Sequence, residues 1–167
     1  MRIRPETPAD HAAIREINSA AFADHPFSRQ TEHLIVEALR VAGALTLSLV
    51  AEDGDGVVVG HIAFSAAPID NHDQGWQLLG PVAVLPALQQ RGIGKALVQA
   101  GLEALRGLGA QGCVLVGDPG YYTRLGFRQA VSLVYPGVPP EVVLCSPLAG
   151  GEPAGTVGHH PAFDVQP

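Results

Sequence analysis

Charge is scarce in this sequence, and positive charge scarcer still. Charged residues make up 16% of the 167, with 10 Lys and Arg against 16 Asp and Glu and a formal net charge of −6. That balance excludes broad nucleic-acid binding, which works by Lys and Arg displacing counterions from phosphates. It does not exclude a small anion held at one local site. Cysteine is nearly absent. Cys113 and Cys145 each sit inside an apolar run, make neither a disulfide framework nor a metal motif, and read as buried thiols. His159 and His160 form a pair with no further ligand spacing, so no metal site is expected. No apolar run approaches the roughly 18 residues of a membrane span. No basic segment leads into an apolar stretch near Met1. The expectation is a cytoplasmic protein with no membrane association.

What is present suits one α/β domain. Apolar residues reach 47% and mean hydropathy is +0.20, enough for a real core. "RIRPETP" alternates like a strand. Thr7, Pro8 and Asp10 then read as a helix start, followed by one apolar face through Ile14 and Ile17. A second helix is expected from near Ser28, with Leu34, Ile35, Ala38 and Leu39 inward and Gly43 at its end. "ALTLSLVAE", the turn "DGDG" and "VVVGHIAFSAAPI" read as a hairpin. "WQLLGPVAVLP" is the next strand. A helix from about Gly92 to Arg106 repeats apolar residues at three- and four-residue steps from Ile93 to Leu108. "CVLVG" is a strand buried on both faces, "DPGYYTRLGF" a turn with a short helix, and "VVLCSPL" a last strand. This order implies a mixed sheet with one strand–helix–strand crossover. Residues 1–148 form the domain. Residues 149–167 are a tail that packs on the domain or on a partner.

The crossover carries "QQRGIGKA", residues 89–96. A plain turn needs one glycine; this one has two, where a strand hands over to a helix. First-turn amides have no partner inside a helix, and the dipole there favours an anion. Gly92 and Gly94 let backbone approach a ligand. Arg91 and Lys95 add cationic side chains. A Walker loop fails, because Ala96 follows Gly94-Lys95 and position 89 is Gln. A dinucleotide fingerprint fails, because Leu97 stands where the third glycine belongs. Pro81 gives no amide to a ladder, so its strand either parts from a neighbour there, exposing groups to which an amide-bearing ligand can add like a strand, or carries an edge or bulge.

"QQRGIG" resembles the Gln/Arg-x-x-Gly-x-Gly/Ala loop of the GNAT (GCN5-related) N-acetyltransferases through Gln89, Gly92 and Gly94. "GPVAVLPALQQRGIGKALVQAGLEAL" resembles the family's central strand and helix, and "VLVGDPGYYTRLGF" its following strand and Tyr-x-x-x-Gly-Phe ending. The likeness covers about residues 1–148, and "GDPGYY" is similar to its YhbS-like bacterial branch. The resemblance implies the GNAT acyl-CoA N-acyltransferase fold: a mixed, mostly antiparallel sheet with splayed central strands flanked by helices. It implies acetyl-CoA as co-substrate, no metal, and direct attack by a primary amine of a small-molecule or peptide acceptor. The amides of Gln89, Gln90, Arg91, Gly92, Ile93, Gly94, Lys95 and Ala96 would hold the diphosphate, and the main chain of Val82, Ala83 and Val84 the pantetheine and thioester. Tyr122 would be the general acid, with Tyr121 the weaker candidate. The family's frequent Asn seven residues earlier is Leu115 here, and Asp118 reads as a turn cap. No carboxylate stands on the central strand, which leaves His61, Asp70, His72 and Asp73 as candidates for the base. Residues 21–30 and 159–164 would wall the acceptor. The missing base keeps a second reading in play, a non-catalytic acetyl-CoA sensor. Dimerisation, common in the family, leaves a homodimer open.

Overall fold

The computed structural model describes residues 1–167. β1 (Arg2–Pro5) leads through a 3-10 turn into α1 (His11–Phe22), and then come α2 (Glu32–Val41), β2 (Leu47–Glu52), β3 (Val58–Ala66) and β4 (Trp76–Val84). α3 (Ile93–Gly107), β5 (Gly112–Val116) and α4 (Pro119–Tyr122) follow. The chain closes with β6 (Arg128–Gln129), β7 (Leu133–Val134), β8 (Val143–Pro147) and β9 (Gly155–Thr156). Seven strands form one sheet in the order β1-β2-β3-β4-β5-β8-β6, while β7 and β9 pair separately. Only β4 and β5 run parallel in the large sheet, on either side of the α3 crossover.

The helices take opposite faces of that sheet. α3 buries Leu97, Val98, Leu102 and Leu105 against Leu49, Ile62, Phe64 and Leu79, each such side chain worth about 2 kcal/mol. A side chain at Gly101 would strike the Phe64 ring, so the helix lies on the sheet only because that position is bare. α1 and α2 cover the other face through Ile14, Val36 and Val50. The α1 entry forms as its residue types predict: the Asp10 carboxylate accepts from the Thr7 amide at 2.7 Å and is clamped by Arg4 at 2.7 and 3.0 Å.

Three expectations need correction. α2 begins at Glu32, not near Ser28; the Ser28 hydroxyl bonds the Glu32 carboxylate at 2.7 Å and accepts from the Gln30 amide at 2.8 Å, which makes it part of the preceding turn. Leu34 is only half buried, and Val36 takes the core position instead. Leu108 is 63% exposed, because α3 ends at Gly107 and the chain turns there. β6, β7 and β9, two residues each, are too short to show alternation.

The tail lies on the domain. Ala162, Phe163 and Val165 pack with Ile35 and Leu39. Asp70 exchanges two 2.9 Å bonds with Thr156. The Glu152 side chain, 4% exposed, accepts from the amides of Val131, Ser132 and Leu133 at 2.9, 2.5 and 3.2 Å and from Arg128 at 3.3 Å. Three amides, those of Ser132 and Leu133 at least partly buried, would lose their acceptor in Glu152→Ala, so that variant is expected to be about 2 kcal/mol less stable. Urea unfolding checks the loss, and limited proteolysis within 149–167 checks release of the tail.

Candidate active site

The turn before α3 presents a run of free amides. Gln90 and Gly92 take left-handed backbone, φ +64° and +87°. No N–H from Gln90 through Lys95 finds a partner within the protein; the first satisfied amide is that of Ala96, on the Gly92 carbonyl at 3.0 Å. A helix N-terminus with this many open donors attracts an anion through hydrogen bonds and dipole together. The Gln89 side chain is not among them. It donates to the Val84 carbonyl at 3.1 Å and ties the loop to the end of β4. Arg91 and Lys95 are exposed and make no ion pair.

Beside this turn the sheet opens. β4 pairs with β5 only at Trp76–Leu78 against Gly112–Val114. Beyond that point β5 follows β8 and β4 follows β3. Both readings of Pro81 hold at once. Gly80 and Pro81 form a bulge opposite Ala63, between the Phe64–Leu79 and Ile62–Val82 pairs, and past the bulge β4 has left β5. The Leu85 amide donates to Val59 on β3 at 3.0 Å. Alternation then turns the peptide groups of Ala83 toward β3 and those of Val82 and Val84 toward the gap. A cleft of about 290 Å³ lies here, lined by Val82, Val84, Leu88, Gln89, Gln90, Gly92, Ile93, Gly94 and Tyr121.

The two tyrosines of α4 part company. Asp118 caps α4 by accepting from the Gly120 amide at 2.9 Å. Tyr121, 41% exposed, lines the cleft. Tyr122 is half buried, its ring 5.8 Å from Phe127 and against Leu115 and Gly117 at the end of β5. Its hydroxyl makes no hydrogen bond to protein. Burial, with Tyr121 and Cys113 beside it, pushes the Tyr122 hydroxyl well above the usual tyrosine value. Residues one step apart on a helix face about 100° apart, and spacing alone does not say which one meets the cleft.

The histidine on β3 belongs to the scaffold. His61 is fully buried; Asn18 of α1 donates to its Nδ1 at 3.1 Å and Ser48 of β2 lies 2.9 Å from its Nε2. Since Asn18 Nδ2 is a donor, Nε2 carries the proton toward Ser48, whose hydroxyl bonds Glu6. Arg40 and His11 also bind Glu6, at 2.9 and 3.0 Å. Burial holds the imidazole down to about 4, with Glu6 opposing and Arg40 reinforcing. A depressed base is protonated in the unfolded chain first. Stability is therefore expected to fall below the ordinary value of about 6.5, by at most about 1.4 kcal/mol per pH unit. Thermal melts between pH 6.5 and 5 read this slope, and His61→Gln flattens it.

The other candidates lie at the wrong end of the sheet. Asp70, His72 and Asp73 precede β4, whose nine residues separate them from the cleft by about 25 Å. Asp70 holds the tail, and Asp73 accepts from Gly75 at 2.8 Å. Residues 159–161 border a second hollow of about 500 Å³ with Gly43–Thr46, Ala66 and Pro68. That hollow is also toward the far end of β4, and residues 159–161 border it rather than the amide-lined cleft. No helix is long and apolar enough to cross a membrane.

Known proteins share this architecture. Residues 45–129 match the family described as "Acetyltransferase (GNAT) domain". The chain is 37% identical over 130 residues to the N-acetyltransferase YhbS of Escherichia coli, covering 78% of this chain and 75% of that protein. Among solved structures, a GNAT family acetyltransferase of Brucella melitensis in complex with acetyl-CoA is 50% identical, covers 98% of this chain and 97% of its own, and superposes with a TM-score of 0.87. E. coli YhbS in complex with CoA superposes at 0.88, with 32% identity over 98% of this chain and 92% of its own.

Proposed function

This chain belongs to the GNAT N-acetyltransferases, and on that premise we propose that it holds acetyl-CoA in the cleft between β4, α3 and α4 and passes the acetyl group to a primary amine. One observation carries the placement: six consecutive free amides, Gln90 to Lys95, beside a gap into which β4, no longer paired with β5, turns the peptide groups of Val82 and Val84. The diphosphate lies on those amides. The pantetheine amides pair with the main chain of Val82 and Val84, filling the place a neighbouring strand has left. The Val84 amide polarises the thioester carbonyl as the amine attacks.

Tyr122 is the general acid in this reading: it does not line the amide-bordered cleft but sits against Gly117 at the end of β5, the strand across the gap from β4. Its raised value keeps the hydroxyl protonated at neutrality, so it can hand a proton to the leaving thiolate. The neutral amine adds to the carbonyl carbon, the C–S bond breaks, the sulfur takes the Tyr122 proton, and the proton shed by the nitrogen as it becomes an amide returns through water to the tyrosinate. His61, with both nitrogens bonded and no exposed surface, does not receive the amine proton directly.

The acceptor, a small molecule or a peptide, approaches past the loop after α1. Asn18 meets His61, which pairs with Ala83 on β4. α1 ends one turn later, at Phe22, and brings residues 23–31 toward the gap. Phe27 in that loop is 92% exposed and serves as an apolar wall for the incoming amine.

Calorimetry with CoA, acetyl-CoA, ATP and NAD tests the cofactor: the first two are expected to bind and the last two not. Thiol release from acetyl-CoA over an amine library then finds the acceptor class. A protein that binds neither CoA form sinks the reading.

A further inference from the structure

The cleft is lined on its α4 side by Tyr121, whose hydroxyl stands beside Gly94. We propose that Tyr121 is a ligand for the cofactor: its hydroxyl donates a hydrogen bond to the bound diphosphate from the α4 side, and position 94 is glycine in order to admit it. This rests on the reading that residues 89–96 hold the diphosphate.

Three observations converge. A side chain at Gly94 would place its Cβ 2.8 Å from the Tyr121 hydroxyl oxygen, closer than real Cβ atoms come. Gly94 is itself one of the free amides, so the hydroxyl stands over the same spot the amides surround. Tyr121 makes no hydrogen bond to protein, although its ring is pinned edge-on to Tyr122 at 4.9 Å. The aromatic pair holds the ring while the hydroxyl stays open. Burial raises the hydroxyl above the usual tyrosine value, so it remains a neutral donor to an anion.

Gly94 has an independent anomaly that Tyr121 explains. Its backbone is helical rather than left-handed, so conformation does not demand glycine there. In a helix, Ala is favoured over Gly by about 1 kcal/mol. An Ala at position 94 would have to push the Tyr121 hydroxyl out of its place.

The experiment is CoA calorimetry on wild type, Tyr121→Phe, Gly94→Ala and the double variant, with the phosphorus spectrum of bound CoA. Tyr121→Phe is expected to weaken CoA about tenfold, the loss of one hydrogen bond to a charged group. Gly94→Ala weakens it comparably in wild type, but changes it less than about twofold when Phe is already at 121, as coupling between contacting residues requires. The diphosphate resonances move in Tyr121→Phe while the 3′-phosphate resonance stays, which loss of packing alone would not produce. The proposal is overturned by Tyr121→Phe binding CoA like wild type with unmoved diphosphate resonances, or by Gly94→Ala costing the same in both backgrounds. Wild type failing to bind CoA overturns the cofactor reading itself, a separate and earlier result.

Discussion

Tyr122→Phe is expected to lower the rate of acetyl transfer about 100-fold or more, the usual contribution of a positioned general acid, while leaving CoA affinity within about twofold. The substitution is clean because of how the ring sits. The aromatic face packs on Phe127, Leu115 and Gly117 and survives the change. The hydroxyl has no hydrogen-bond partner in the protein, so its removal strands no donor or acceptor. Stability should be unchanged, and a loss of rate can then be assigned to the missing proton. Because burial holds Tyr122 protonated, wild-type rate should not decline from its deprotonation anywhere between pH 6 and 9. Steady-state thiol release with an amine found by screening measures both effects. Full speed in Tyr122→Phe removes the acid from the mechanism.

Gly92→Val should damage cofactor binding more than any side-chain deletion in the loop. A side chain at Gly92 would meet nothing within 4 Å, so the cause is not a clash. It is the backbone: φ is +87°, a region a β-branched residue enters at a cost of roughly 1–3 kcal/mol. The turn must unwind, and the amides of Gln90 to Lys95 lose their common direction. An affinity loss of about 30-fold or more for CoA is expected. Lys95→Ala should cost less than about threefold, since Lys95 is exposed and its contribution is that of a screened surface charge. Calorimetry on the two variants ranks them. The reverse order would mean that side chains, not peptide groups, grip the anion.

Much of the scaffold was legible in the sequence because its signals are local. Thr7, Pro8 and Asp10 announce a helix start, Gly43 a helix end, and "DGDG" a hairpin, each through interactions spanning a few residues. The glycine pair at 92 and 94 marked the turn with free amides for the same reason. What failed were signals depending on where elements end or what covers them. The second helix was expected from near Ser28, but Ser28 bonds forward to Glu32 from an earlier turn. Leu108 continued the α3 period but fell past its last turn. Glu152, which holds three distant amides, carries no mark in its neighbourhood.

The acceptor side shows the same divide. Asp70, His72 and Asp73 stood close to β4 in sequence, and the strand then carried its chemistry about 25 Å away from them, nine residues at the rise of an extended chain. Tail residues 159–161 went to the far hollow with Gly43–Thr46. Adjacency in the chain meant opposite ends of a strand.

By itself the sequence determined the element order, the crossover and the turn with free amides, since hydrophobic period, caps and glycine act over a few residues. Only the tertiary structure decided that β4 leaves β5 after Leu78, that Tyr121 rather than Tyr122 lines the cleft, and that His61 is locked between Asn18 and Ser48. Those outcomes depend on which surfaces meet across the sheet, and no stretch of residues a turn long contains both sides of such a contact.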